Sequence, residues 1–183
     1  MKIIEHAKQI ITIDNFWSEK ECEEYIAKSE SIGYEAAKIS TEKGDKVVES
    51  VRNNHRVLHK DIDLANLIWE KLKNVAPKAI GNAKAIGLNE LFRFYKYQAG
   101  QRFKKHRDES FIRNESEASY YTFMIYLNDN FTGGDTTFNE LSIKPKTGSA
   151  LIFLHNLEHS GSEIEKGIKY VLRTDIMYKV TIE

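Results

Sequence analysis

The apolar positions change period along the chain, and the change divides it. In the N-terminal part they recur at helical spacing. Cys22, Tyr25, Ile26 and Ser29 share one face of small or apolar groups, and Leu64, Ile68, Leu72 and Val75 share another. Ser18 stands where a helix N-cap belongs. Glu21, three residues on, completes a capping box, with Trp17 and Cys22 placed as a hydrophobic staple. This pattern predicts one helix starting at Ser18 and a second over about Asp63 to Val75, stopped by Pro77. Ile10 to Ile13 reads as a short strand ahead of both.

From about Leu88 the texture is that of strands. Leu91 to Tyr97 is dense in aromatics, and Tyr120 to Leu127 is a near-continuous apolar run of the kind buried on both faces. Gly133-Gly134 marks a turn, Thr136 to Phe138 a short strand, and Ile143, Ala150 to Leu154 and Lys169 to Val180 supply more. Two helices followed by about seven or eight strands predict an α+β fold, with N-terminal helices packed against a β-sandwich or open barrel. A double-stranded β-helix, or jelly roll, fits this order, and periodicity alone does not separate it from other sandwiches. The expectation is a single domain over residues 1–183, with helical support mainly in 15–80 and the jelly-roll core in about 84–182.

Composition narrows the class. Lys+Arg and Asp+Glu each number 27, so net charge indicates neither nucleic acid nor an anionic membrane surface as partner. Cys22 is the sole cysteine, which rules out an internal disulfide and suits a reducing cytoplasm. Its place on the first helix face makes it a core residue rather than a nucleophile. The N-terminal run is broken by charged residues, so neither a signal peptide nor a membrane span is expected there. No apolar stretch approaches the roughly 20 residues that a membrane helix needs.

The chemistry lies in His106-Arg107-Asp108 and in His159, about fifty residues later. His-x-Asp followed by a distant His is the ligand order of the two-His, one-carboxylate facial triad, which holds Fe(II) and leaves positions open. On a strand, residues i and i+2 point to one side, so His106 and Asp108 can reach one ion. Taken alone, His-x-Asp is more often a surface His beside a solvated Asp. The distal His, the strand context and the downstream cations Lys169 and Arg173 reverse that balance, because an oxygenase needs a cation for a dicarboxylate co-substrate.

Other chemistries fit less well. A kinase catalytic loop also opens His-Arg-Asp, but here its metal-binding Asn is misplaced, and neither Asp-Phe-Gly nor a Gly-rich phosphate loop is present. His155 and His159 are four apart, yet no Glu follows His155 and the preceding run reads as strand, against a helical zinc-protease motif. His155 is expected beside the site or at the surface. His6, His55 and His59 lack ligand spacing.

The segment Arg93 to Asp108, RFYKYQAGQRFKKHRD, resembles the Tyr-x-x-Gly-x-x-Phe/Tyr-x-x-His-x-Asp stretch of prolyl 4-hydroxylase-like Fe(II)/2-oxoglutarate oxygenases. Tyr126-Leu127-Asn128, Gly133 to Phe138 (with Asp135 for the usual Glu), Pro145 to Phe153, His159-Ser160-Gly161 and Gly167 to Tyr170 are similar to later motifs of that family, in the same order. Phe16-Trp17-Ser18 resembles the family's opening, and Val51 to Arg56 a segment of one bacterial and viral branch.

The resemblance implies a jelly roll with iron at its open end, bound by His106, Asp108 and His159. It implies 2-oxoglutarate as co-substrate, with ascorbate an allowed auxiliary. The C5 carboxylate would meet a buried cation. Family spacing selects Lys169, while Arg173 offers the better fork for a carboxylate. Tyr97 is placed where relatives have a tyrosine that bonds 2-oxoglutarate, although core packing explains it equally. Arg52 and Arg56 fit a polar loop facing the pocket and binding substrate, or a solvated loop with no such role. The implied reaction hydroxylates a substrate with O2, yielding succinate and CO2. A prolyl residue in a peptide or protein is favoured, and small molecules stay open. Two alternatives from other classes remain: a non-catalytic metal-binding jelly-roll module, and a cupin-like enzyme using another divalent metal.

Overall fold

The computed structural model describes residues 1–37 and 50–180. Its N-terminal part holds strands β1 (Lys2–Ala7) and β2 (Ile10–Asp14), helix α1 (Glu19–Ile32), strands β3 (Glu35–Ala36) and β4 (His55–Lys60), and helix α2 (Ile62–Leu72). There follow β5 (Ala79–Ile80), β6 (Ala83–Leu88), β7 (Leu91–Gln98), β8 (Phe103–His106), β9 (Ile112–Asn114) and β10 (Glu117–Tyr126). The last group is β11 (Thr132–Gly133), β12 (Thr136–Phe138), β13 (Leu141–Ile143), β14 (Ala150–Leu154), β15 (His159–Gly161), β16 (Ile164–Lys166) and β17 (Ile168–Val180). The strands are more numerous than the apolar pattern predicted. The additional ones, among them β1, β4 and β8, are short or carry charged side chains, so backbone pairing rather than side-chain pattern defines them.

The helix starts follow the sequence. The Ser18 hydroxyl accepts from the Glu21 amide at 3.2 Å, and the Glu21 carboxylate accepts from the Ser18 amide at 2.7 Å. Trp17 stacks on Tyr25, with ring centroids 4.5 Å apart. Asp61 caps α2 through the Leu64 amide at 2.9 Å. That helix ends at Leu72, five residues before Pro77, where the chain turns.

Two antiparallel sheets face each other as a jelly roll. The larger runs β1-β2-β14-β10-β17-β7-β4-β3 and the smaller β13-β12-β15-β8. Alternation along each strand of the large sheet assigns its two faces. Phe92 and Phe94 of β7, Phe123 and Ile125 of β10, Ile152 of β14 and Leu172 and Ile176 of β17 pack toward the helices with Leu64, Ile68 and Leu72. Tyr95 and Tyr97 of β7, Phe153 of β14 and Val171 of β17 pack on the other side, against Phe138 and Ile143 of the small sheet. A one-residue slip in register would exchange these two sets.

The glycine of the Pro-x-x-Gly motif explains how the N-terminal segment is fastened down. Gly148 adopts φ +73°, and a Cβ there would lie 2.0 Å from the Trp17 carbonyl oxygen. The backbones touch because Gly148 accepts from the Trp17 amide at 2.9 Å. Gly148→Ala is therefore expected to cost more than about 2 kcal/mol, from backbone conformation and overlap together. Ser18→Ala should cost about 1 kcal/mol through loss of the cap. Urea unfolding of the two variants checks the ranking, and an equal loss in both would show that the close approach at Gly148 relaxes freely.

Candidate metal and co-substrate site

The site lies between the two sheets. The small sheet supplies His106 at the end of β8 and His159 at the start of β15, and these residues are paired directly across the strands. Asp108 follows β8 in an irregular segment, and its amide donates to the His155 carbonyl at 3.1 Å. One donor atom from each of His106, Asp108 and His159 falls within 4.8 Å of the other two. His106 Nε2 is 3.7 Å from Asp108 Oδ1, and His159 Nε2 is 3.7 Å from Asp108 Oδ2.

The ring nitrogens facing away decide the tautomers. His106 Nδ1 donates to the Lys104 carbonyl at 2.7 Å and His159 Nδ1 to the Leu157 carbonyl at 2.9 Å. A carbonyl can only accept, so each neutral ring carries its proton on Nδ1 and offers the Nε2 lone pair to the centre. Aromatic neighbours fix the planes: His106 stacks on Phe103 at 3.6 Å, and His159 lies edge-on to Phe153 at 4.5 Å. Burial pushes His159 down to about 4 despite the Asp108 carboxylate nearby, so it is neutral at physiological pH. Burial acts to raise Asp108, but the Arg173 charge outweighs it. With the hydrogen bond from Thr122, that charge holds the carboxyl well below its usual range. Two imidazole nitrogens and one anionic carboxylate converging on a point are a donor set that suits Fe(II).

The large sheet supplies the opposite wall. Tyr95, Tyr97, Thr122, Lys169 and Arg173 line the same cavity as the triad. Lys169 is 4% exposed. Its single hydrogen bond among the described residues runs from Nζ to the Gly134 carbonyl, at 2.5 Å. Burial pulls it down to about 7, with Asp135 opposing only weakly. A buried ammonium without a carboxylate partner fits a bound dicarboxylate. Gly134, in the Gly-Gly-Asp-Thr-Thr-Phe turn, makes room for it: a Cβ there would meet the Lys169 Cδ at 3.3 Å and the Ile164 side chain at 2.5 Å. Tyr97 is buried with its ring centroid 5.7 Å from Lys169 Nζ.

Arg173 also points into the cavity, but its charge is already engaged. Nη2 is 3.2 Å from Asp108 Oδ2 and 3.1 Å from Asp175 Oδ1. Arg93 meets the other oxygen of Asp175 at 3.0 Å. His155 is buried, with Nε2 3.6 Å from Asp175 Oδ1 and no contact to the convergence point. Arg52 is buried between Tyr95 and Phe103, its guanidinium 4.3 and 4.4 Å from the ring centroids. Arg56 lies in β4 rather than in a loop, paired with Tyr95, so the two share the cavity-facing side of the sheet. Neither arginine lines the cavity itself.

Three polar residues around the triad escaped the sequence reading: Thr122, Asp175 and Arg93. The signal for the first two was present, since each is a polar side chain inside a buried strand, within YYTFMIY and RTDIM. Such positions demand a partner. For Arg93 no comparable signal exists.

Residues 92–174, which build the cavity, match the family model of the 2OG-Fe(II) oxygenase superfamily. Over that segment the chain is similar to this superfamily, whose name specifies Fe(II) and 2OG. The fold of the chain is similar to that of solved prolyl hydroxylases. The viral collagen prolyl hydroxylase from Paramecium Bursaria Chlorella virus-1, solved with 2OG, superposes with a TM-score of 0.66 at 19% identity, over 95% of this chain and 98% of the other. A Pseudomonas putida prolyl-4-hydroxylase gives 0.64 at 12%, over 95% and 94%. The Trichoplax adhaerens prolyl hydroxylase, bound to a hypoxia inducible factor peptide fragment, gives 0.71 at 17%, over 92% and 83%. No curated protein matches the chain by sequence. No helix among the described residues is long and apolar enough to cross a membrane.

Asp108→Ala should abolish tight Fe(II) binding, whereas His155→Ala should weaken it no more than about tenfold, since His155 contacts Asp175 and not the centre. Isothermal titration with Fe(II) under nitrogen reads both, and equal losses would reassign the histidine.

Proposed function

We propose that the protein hydroxylates a prolyl residue of a peptide or protein. His106, Asp108 and His159 would hold Fe(II), and Lys169 would pair with the C5 carboxylate of 2-oxoglutarate, with Tyr97 beside it. The observation that carries this reading is the meeting, in one cavity, of a three-donor metal set with a buried lysine that has no carboxylate partner among the described residues. When bound, Fe(II) with 2-oxoglutarate and O2 supplies the oxidation, giving succinate, CO2 and a hydroxylated substrate. The protein's own part is placement. The two histidines present their Nε2 atoms, Thr122 and Arg173 orient the carboxylate, and the aromatic walls exclude water.

Lys169 is favoured over Arg173 as the co-substrate anchor because Arg173 is paired with Asp108 and Asp175, while Lys169 forms no ion pair among the described residues. Arg52 would contact the substrate. One of its Nη atoms is buried without a partner, beside two rings that line the cavity, and such a donor suits a peptide carbonyl. Arg56, on the same sheet face, would act further out. The single cysteine, buried in α1, supports a reducing compartment, and we assign the cytoplasm on that ground.

The test is 2-oxoglutarate turnover by the iron-loaded protein under air, with proline-containing peptides added in turn and products read by mass spectrometry. Stimulated turnover with a hydroxylated proline is expected. Turnover that no prolyl peptide stimulates would end the substrate assignment while leaving the oxygenase standing. Lys169→Ala should weaken 2-oxoglutarate binding by roughly 10- to 150-fold, the equivalent of a charge-assisted hydrogen bond of about 1.5–3 kcal/mol, and leave iron binding nearly intact.

The Lys169 environment also sets a pH dependence. In the free protein Lys169 loses its proton at about 7, and a bound carboxylate raises that value. Affinity should therefore be flat below pH 7 and fall above it, by up to about tenfold per pH unit. Proton uptake should accompany binding at pH 8. Titration calorimetry in buffers of different ionisation enthalpy measures this uptake, and its absence would show that Lys169 is not the anchor.

A further inference from the structure

Arg173 and Arg93 sit directly opposite each other on β17 and β7. Like charges so placed repel. Asp175, two residues along β17 and on the same face, joins them, with Oδ1 toward Arg173 and Oδ2 toward Arg93. Its Oδ2 also accepts from the Asn89 amide at 3.3 Å. Arg173 is thus clamped from behind, and the clamp aims Nη2 at Asp108. At Asp108 the two oxygens differ. Oδ2 accepts from the Thr122 hydroxyl at 2.5 Å and has the Arg173 guanidinium 3.2 Å away. Oδ1 faces His106 and takes neither donor.

Both oxygens lie 3.7 Å from a histidine Nε2, so either, or both together, could turn to a shared ion. A carboxylate oxygen that already serves a hydroxyl and a guanidinium has little lone-pair capacity left for a metal. We propose that Arg173, clamped by Asp175 and assisted by Thr122, holds Asp108 as a one-oxygen ligand and thereby keeps a coordination position free. This rests on the assignment of His106, Asp108 and His159 as the iron ligands. A facial triad leaves three positions. A chelating 2-oxoglutarate takes two, and a carboxylate bound through both oxygens would take the last. Arg173 is in this sense a positioning residue, and Asp175 and Arg93 act through it.

The probe is nitric oxide, which binds an open position on Fe(II) and is read by electron paramagnetic resonance without turnover. Wild type, Thr122→Val, Arg173→Met and the charge-balanced double variant Arg173→Met/Asp175→Asn are loaded with Fe(II) under nitrogen, with and without 2-oxoglutarate. Circular dichroism qualifies each as folded. Thr122→Val, which preserves charge and shape, carries the test if Arg173→Met does not fold. In the presence of 2-oxoglutarate the variants should bind nitric oxide at least about tenfold more weakly than wild type. Without 2-oxoglutarate they should bind it comparably, with iron affinity changed less than about tenfold. Nitric oxide binding equal to wild type in the presence of 2-oxoglutarate would overturn the proposal. So would loss of 2-oxoglutarate affinity in Arg173→Met alone, because Arg173 would then belong to the co-substrate. Failure of wild type to form the nitrosyl complex under either condition would instead overturn the ligand assignment beneath it.

Discussion

The alternation of faces along β17 is the constraint on which the site depends. Lys169, Val171, Arg173 and Asp175 fall on the cavity side, and Leu172 and Ile176 on the helix side. One strand thus supplies the isolated cation, the cation paired to Asp108 and that cation's counter-ion. Its other face meanwhile anchors the sheet to the helices. β17 pairs with both β10 and β7, so the spacing of these groups is set by backbone hydrogen bonds on two sides rather than by flexible side chains. A site that must hold ligands in register gains from such a rigid base.

The charges buried there balance in sign but not in accessibility. Asp108 and Asp175 face Arg173 and Arg93 in a continuous chain of contacts. Burial of four charges is tolerable because each has an opposite charge within about 3.2 Å. Lys169 stands outside this chain, bonded to one carbonyl and enclosed by Tyr97 and Tyr126. The contrast separates two roles that sequence spacing left merged. Arg173 is ion-paired with two carboxylates, whereas Lys169 is bonded to a backbone carbonyl and has no ion pair among the described residues.

The small sheet contributes less to the core but carries both imidazoles. Direct pairing of His106 with His159 brings two residues from distant parts of the chain within one strand spacing. Backbone carbonyls of nearby residues then fix the proton on each ring. The metal-facing geometry is accordingly a product of short-range backbone order within each strand and a single long-range register between them.

Local features of the sequence determined a good deal. The capping box at Ser18, the two amphipathic helix faces, the long apolar strands and the His-x-Asp with its distal His were all legible, because each depends on residues within a few positions or on a spacing the ladder preserves. The order of motifs from Arg93 to Tyr170 carried the family resemblance for the same reason. The tertiary structure decided what depends on partners far apart in sequence. It placed β4 beside β7 and so moved Arg56 from an expected loop onto a strand. It also supplied the partners of Thr122 and Asp175, polar residues in buried strands, by setting them against Asp108 and Arg173. Whether a cation is free or paired is a property of its surroundings, not of its spacing. That is why Lys169 and Arg173, four residues apart on one face, separated only once the groups around each were in place.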